Sequence, residues 1–157
     1  MSFAHPIRVY WEDTDAGGIV FYANYLKFME RARTEWLRSL GIEQQRLRES
    51  SGGIFVVSET SLKYHRPARL DDQLLVTAHL RQAGTASLII EQRVLSNPEQ
   101  QSAPDSLPAQ ALLCEGTIRI GWVDAAKMRP ARLPSSVSTV FERIAQGGTP
   151  PAGRSQQ

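Results

Sequence analysis

A short run, Trp11-Glu12-Asp13-Thr14-Asp15-Ala16-Gly17-Gly18, sets carboxylates ahead of paired glycines, and Ile19, Val20, Phe21 and Tyr22 follow at once. Glycine accepts the positive φ that a tight reversal demands, so Gly17-Gly18 predicts a turn with Asp15 at its mouth. Beyond it Asn24 is a suitable N-cap. A helix opening near residue 23 would aim unpaired backbone N–H groups back at the turn, where they favour negative charge. A carboxylate facing such donors across a small apolar gap suits attack on a carbonyl. The acid would serve as nucleophile or general base, and the donors would hold the oxyanion.

Other readings of the run compete with this one. It could be an Asx-rich connection with no chemistry. A calcium loop opening at Asp13 would put Gly18 at the sharp turn and Val20 at the apolar position. It would also need a bidentate Glu where Asn24 stands. An aspartyl-phosphate site of the Asp-x-Asp kind would call for a longer α/β chain. On an extended strand Asp13 and Asp15 share one side of the chain, so alternation does not choose between them.

The elements that must position this turn are legible in part. Residues 5–12 favour a strand. Residues 23–40 carry Tyr25, Phe28, Met29, Ala32, Trp36, Leu37 and Leu40 at three- and four-residue steps, which predicts one strong helix stopped by Gly41. Arg31 and Glu35 read as a solvated pair on its polar face. A polar connection at 41–53 follows, and then strands at 54–65, 73–83, 86–96 and 110–122, the middle two joined through Ala83-Gly84-Thr85. Residues 97–108, with Pro98, Pro104 and Pro108, read as a long mobile loop. The last residues, 147–157, have no apolar period and read as a disordered tail. One helix packed on one antiparallel sheet is a two-layer α+β domain over residues 1–146.

Composition narrows the function classes. The chain has 157 residues, 41% hydrophobic and 22% charged, with a formal charge of +2, which is ordinary for a globular protein with one core. Basic residues are dispersed, so nucleic acid and membrane surfaces are not indicated as partners. No apolar run is long enough for a membrane span and the N-terminus lacks a signal-peptide layout, so a cytoplasmic location is expected. Cys114, the single cysteine, sits in an alternating strand pattern and reads as a buried structural thiol. His5, His65 and His79 have no ligand spacing, and no metal or cofactor is expected. Gly-x-Ser-x-Gly, P-loop and Cys-x-x-Cys motifs are absent from the sequence.

The stretch Tyr10 to Leu26, then Glu30-Arg31-Ala32-Arg33-Thr34-Glu35 and Leu62-Lys63-Tyr64-His65-Arg66-Pro67-Ala68-Arg69-Leu70-Asp71-Asp72, resembles the signature of hotdog-fold acyl-CoA thioesterases of the YbgC and 4-hydroxybenzoyl-CoA thioesterase group. The resemblance runs to about Leu133. It implies a hotdog fold, in which an antiparallel sheet wraps one long central helix. It also implies homodimers paired edge to edge or homotetramers, with acyl-CoA sites at the interface.

By the same resemblance Asp15 is the catalytic carboxylate and the backbone N–H near Tyr22 the oxyanion donor. Gly18, Ile19, Val20 and Phe21, with Phe55, are candidates to line the acyl pocket. The YbgC branch often has His at the place of Tyr22 and Tyr at the place of Trp11. A phenol with a pKa near 10 is a poor base, so Tyr22 is expected to position substrate or lend its amide. Lys63, Arg66, Arg69, Lys127, Arg129 and Arg132 are candidates to neutralise CoA phosphates. The expected activity is hydrolysis of acyl-CoA to free acid and CoA. The alternative is a non-catalytic scaffold for acyl-CoA or acyl carrier protein in envelope or lipid metabolism.

Overall fold

The computed structural model describes residues 3–99 and 110–147. Its strands are β1 (Phe3–Arg8), β2 (Gly53–Tyr64), β3 (Gln73–Ala83), β4 (Ser87–Ser96), β5 (Leu112–Asp124) and β6 (Arg129–Pro130). Its α-helices are α1 (Asn24–Ser39), α2 (Gln44–Ser51) and α3 (Ser135–Ala145). The strands form one antiparallel sheet in the order β1-β3-β4-β5-β2, with β6 added to β5. This is the expected α+β hotdog arrangement, with α1 cradled in the curled sheet.

Helix α1 forms where the apolar period predicts it, and it buries Tyr25, Phe28, Met29, Ala32, Trp36 and Leu37. These side chains share one core with Leu74, Val76, Leu88, Ile90, Leu113 and Ile118 from β3, β4 and β5. Each large apolar side chain so buried contributes about 1.5–3 kcal/mol. The helix ends as Gly41 predicts: Gly41 has φ 81°, its N–H donates to Arg38 O at 3.0 Å, and Ile42 N–H reaches back to Leu37 O at 2.9 Å. That pair of bonds satisfies carbonyls the helix leaves open.

A polar tie fixes α1 over the sheet. Arg33 on α1 donates to Gln92 Oε1 at 2.9 Å, and Gln92 Nε2 donates to the carbonyls of Met29 at 3.0 Å and Thr77 at 3.1 Å. Both side chains are buried, and burial lowers the Arg33 pKa, with Glu30 acting in the other direction. Sequence periodicity had no place for this pair, because a charged residue in the core breaks the apolar stripe.

Several expectations need correction. Residues 5–12 are not one strand: β1 ends at Arg8 and Trp11–Asp13 is a 3-10 turn, because the Asp13 carboxylate folds back to accept Tyr10 N–H at 2.8 Å. The connection at 41–53 contains α2, which lies against β2 and packs Leu47 on the core. A third helix, α3, buries Val137 and Phe141, and the Phe141 ring lies 5.8 Å from that of Trp36. Glu35 pairs with Arg38 rather than Arg31. Most of the 97–108 loop and all but the first residue of the 147–157 tail lie outside the described residues.

Candidate functional site

The turn forms as the glycines dictate. Asp15 N–H donates to Ile19 O at 2.9 Å, Gly18 N–H to Asp15 O at 3.1 Å, and Gly18 has φ 78°. A turn closed by a residue in the left-handed region is a common three-residue hairpin connection. Thr14 bridges Val20 across the hairpin, and Phe21 N–H donates to Asp13 O at 3.0 Å. The second arm is held from its far side: Ile19 bridges Arg69, and Val20 N–H donates to Ala68 O at 2.8 Å.

The hairpin separates the two carboxylates that alternation left equivalent. Asp13 is 3% exposed, and it accepts Tyr10 N–H and Asn24 Nδ2 at 2.8 Å each. Both of its oxygens are engaged, so it braces the loop against the helix. Asp15 is exposed at the hairpin tip, and among the described residues its Oδ1 accepts only the local Gly17 N–H, at 2.8 Å. A Cβ at Gly17 would stand 3.2 Å from that oxygen. Among the described residues the other carboxylate oxygen of Asp15 has no hydrogen-bond partner.

The helix entry supplies donors, although not through the expected cap. Ala23 is the N-cap of α1 without a side-chain cap bond, and Asn24 spends its amide on Asp13 instead. Asn24 N–H donates to Phe21 O at 2.8 Å, closing a turn over Tyr22 and Ala23. The N–H groups of Tyr22 and Ala23 have no acceptor among the described residues.

Aromatic rings surround this entry. Phe21 and Tyr22 lie 4.8 Å apart by ring centroids, Tyr64 stands 6.5 Å from Tyr22 and 5.6 Å from Tyr25, and Tyr64 Oη donates to Tyr22 O at 2.8 Å. Burial raises the pKa of Tyr25, partly offset by the Ala68 N–H that its hydroxyl accepts at 3.1 Å. Burial, reinforced by Cys114 and Tyr22, raises that of Tyr64. Burial and then Glu115 push the Cys114 thiol up to about 11. Raised in this way, the three groups stay protonated near neutral pH. The contact of Tyr64 with Tyr22 had no signal in the sequence beyond the place of Tyr64 in the 62–72 motif.

The structure brings Asp15, Gly18, Ile19, Phe21 and Tyr22 onto one hairpin. Phe21 and Tyr22 are exposed, and Val20 turns into the core. It disperses the basic candidates. Arg69 lies beside Ile19, whereas Lys63 joins Glu91, Arg93 and Glu115 along a shallow groove on the outer sheet face. Arg132 lines a cleft between the β3–β4 turn and α3, and Lys127 sits in the turn capped by the Asp124 carboxylate. Phe55 stacks edge-on against Trp122 at 4.9 Å.

A carboxylate-bearing hairpin that leads into the central helix of a wrapped antiparallel sheet defines a hotdog thioesterase, and the chain belongs to the thioesterase-like superfamily, which matches residues 9–141. Within it the chain is similar to the YbgC proteins. It is 39% identical to the acyl-CoA thioesterase YbgC of Haemophilus influenzae over 143 residues, covering 91% of this chain and 96% of that protein. It is 40% identical to the acyl-CoA thioester hydrolase YbgC of Escherichia coli O6:H1 over 141 residues, covering 90% and 96%. The crystal structure of a DHNA-CoA thioesterase from Staphylococcus aureus superposes with a TM-score of 0.78 at 17% identity, covering 94% of this chain and 96% of that one. That last likeness is one of fold.

Proposed function

We propose that the protein hydrolyses acyl-CoA thioesters at the 13–23 loop. Asp15 attacks the thioester carbonyl or activates water, and the N–H of Tyr22 takes up the developing oxyanion. The observation that carries this reading is the pairing, on one hairpin, of a carboxylate with a free oxygen and a helix entry with unspent donors. The Tyr22 ring, 65% exposed, positions substrate, and Gly18, Ile19 and Phe21 form the wall of the acyl pocket, with Val20 packed in the core behind them rather than lining it. The family's named activity in the YbgC relatives agrees with this chemistry.

A single chain leaves Asp15 open to water, and this reading encloses it with a second copy. β2 has β5 on one side only among the described residues, and Val57, 52% exposed, lies on it. An unpaired edge of this length is a template for another strand. We take the working form as a homodimer joined along β2, or a tetramer built from such dimers. Arg69 is the basic candidate retained for the CoA phosphates or an acyl carrier protein. Acyl-CoA is an intracellular metabolite, so a cytoplasmic location goes with this reading. No helix among the described residues is long and apolar enough to cross a membrane.

The test is release of free thiol from acyl-CoAs of graded chain length and from aromatic acyl-CoAs. Saturable thiol release with at least one class supports hydrolysis. Saturable binding with no thiol released from any of them supports the scaffold reading instead.

A further inference from the structure

Consecutive peptide planes at the entry to α1 are each anchored by the carbonyl end. Phe21 C=O accepts Asn24 N–H at 2.8 Å, and Tyr22 C=O accepts Tyr64 Oη at 2.8 Å. In a trans peptide the C=O and N–H point in opposite directions, so holding each carbonyl aims the N–H of the next residue. The first anchor aims Tyr22 N–H, and the second aims Ala23 N–H. Ala23 has helical torsions, φ −75° and ψ −16°, and the Asn24 N–H bond to Phe21 O closes a turn over Tyr22 and Ala23, so these two N–H groups lie at the open, N-terminal end of the helix.

The second anchor is unusual because a side chain replaces the helix's own bond. Leu26 N–H, the helical partner of Tyr22 C=O, donates instead to Ala23 O at 3.2 Å. Tyr64 Oη is then the only hydrogen-bond donor to Tyr22 C=O among the described residues. The Tyr64 backbone is held by its pairing with Cys114 at the end of β2, and its ring, 47% exposed, makes edge contacts with Tyr22 and Tyr25.

We propose that Tyr64 is a positioning residue for the oxyanion site: its hydroxyl locks the Tyr22–Ala23 peptide so that Ala23 N–H joins Tyr22 N–H as a second donor to the tetrahedral intermediate. This rests on the hydrolytic reading above. Removing an oxyanion donor outright lowers kcat by about 10²–10³-fold, and freeing its peptide to rotate lowers it by less, about tenfold.

The experiment compares Tyr64→Phe, which loses one oxygen and keeps the ring, with Tyr64→Leu, which loses the ring contacts as well. Steady-state rates are measured beside the affinities for a thioether CoA analogue, which carries no oxyanion, and for a hydrated trifluoromethyl ketone analogue, which mimics one. Tyr64→Phe should lose about tenfold in kcat and about tenfold in ketone affinity, with KM and thioether affinity within about twofold of the parent. Tyr64→Leu should lose the same factor in kcat despite lower stability. Parental kcat in Tyr64→Phe, equal losses in thioether and ketone affinity, or a kcat loss that follows stability across the two variants would overturn the proposal. Asp15→Asn run in the same assay separates the two levels. An unaffected Asp15→Asn defeats hydrolysis at this loop, whereas an inactive Asp15→Asn beside a parental Tyr64→Phe defeats only the role of Tyr64.

Discussion

The side-chain amide of Asn24 donates to Asp13 Oδ1 at 2.8 Å, joining the first residue of α1 to a buried carboxylate eleven positions earlier in the chain. The bond decides which acid is free. Because Asp13 is spent on Asn24 and on Tyr10 N–H, it holds the hairpin at a set angle to the helix and presents Asp15 at the tip. Removing it should therefore cost stability first. Asp13→Ala strands a buried amide donor and a backbone N–H, and urea unfolding should show a loss of about 2–4 kcal/mol. A change within about 0.5 kcal/mol would mean the clamp is not structural.

Gly18 tests the turn itself. Its φ of 78° is one that a β-carbon resists, although space around it is open. Gly18→Val should cost about 1–2 kcal/mol and displace Asp15, lowering turnover well beyond what the stability loss explains. Circular dichroism melts run beside rate measurements check both.

The tie between Arg33 and Gln92 gives a prediction far from the loop. Gln92→Leu leaves a buried guanidinium and the carbonyls of Met29 and Thr77 without their partner. A loss of about 3–5 kcal/mol is expected by chemical denaturation. The double variant with Arg33→Met should recover part of it, since replacing both members of a buried polar pair costs less than orphaning one.

How much of this the sequence discloses depends on which force shapes each part. Helix α1 and strands β2 to β5 are legible because Phe28, Met29, Leu74, Val76 and Ile118 repeat at periods that only burial explains. The turn is legible because Gly18 needs a left-handed torsion. Helix α2 is hidden because Leu47 is its one core contact. Helix α3 carries a readable spacing in Val137, Val140, Phe141 and Ile144, a signal the sequence expectations do not use. The division of labour between Asp13 and Asp15 is not local at all. It follows from where the Asn24 amide goes, and that depends on helix and turn meeting in space.

Cys114 provides a pH test. Burial raises its thiol to about 11 from 9.0, so the folded chain keeps a proton that the unfolded chain releases. The stability this contributes is complete below pH 9 and is lost as pH rises to about 11, by about 3 kcal/mol at most. Tyr25 and Tyr64, also raised, add losses of the same sign at higher pH. Urea unfolding across this range should show the decline, and Cys114→Val should make it shallower. An identical decline in the variant would assign it elsewhere.

The edge of β2 tests the assembled form. Val57→Lys places a charge on the strand proposed to pair with a second copy, so light scattering should report a shift toward monomer and turnover should fall with it. Full activity in a monomeric variant would remove the partner copy from the site.

The most direct measurement is thioester turnover by purified Asp15→Asn set beside Asp13→Asn and the parent. Asp15→Asn should retain the parent's fold and assembly while losing about 10²–10⁴-fold in rate, the scale of an acid–base or nucleophilic group. Asp13→Asn should lose far less. An Asp15→Asn protein that turns over acyl-CoA at the parental rate would contradict the account.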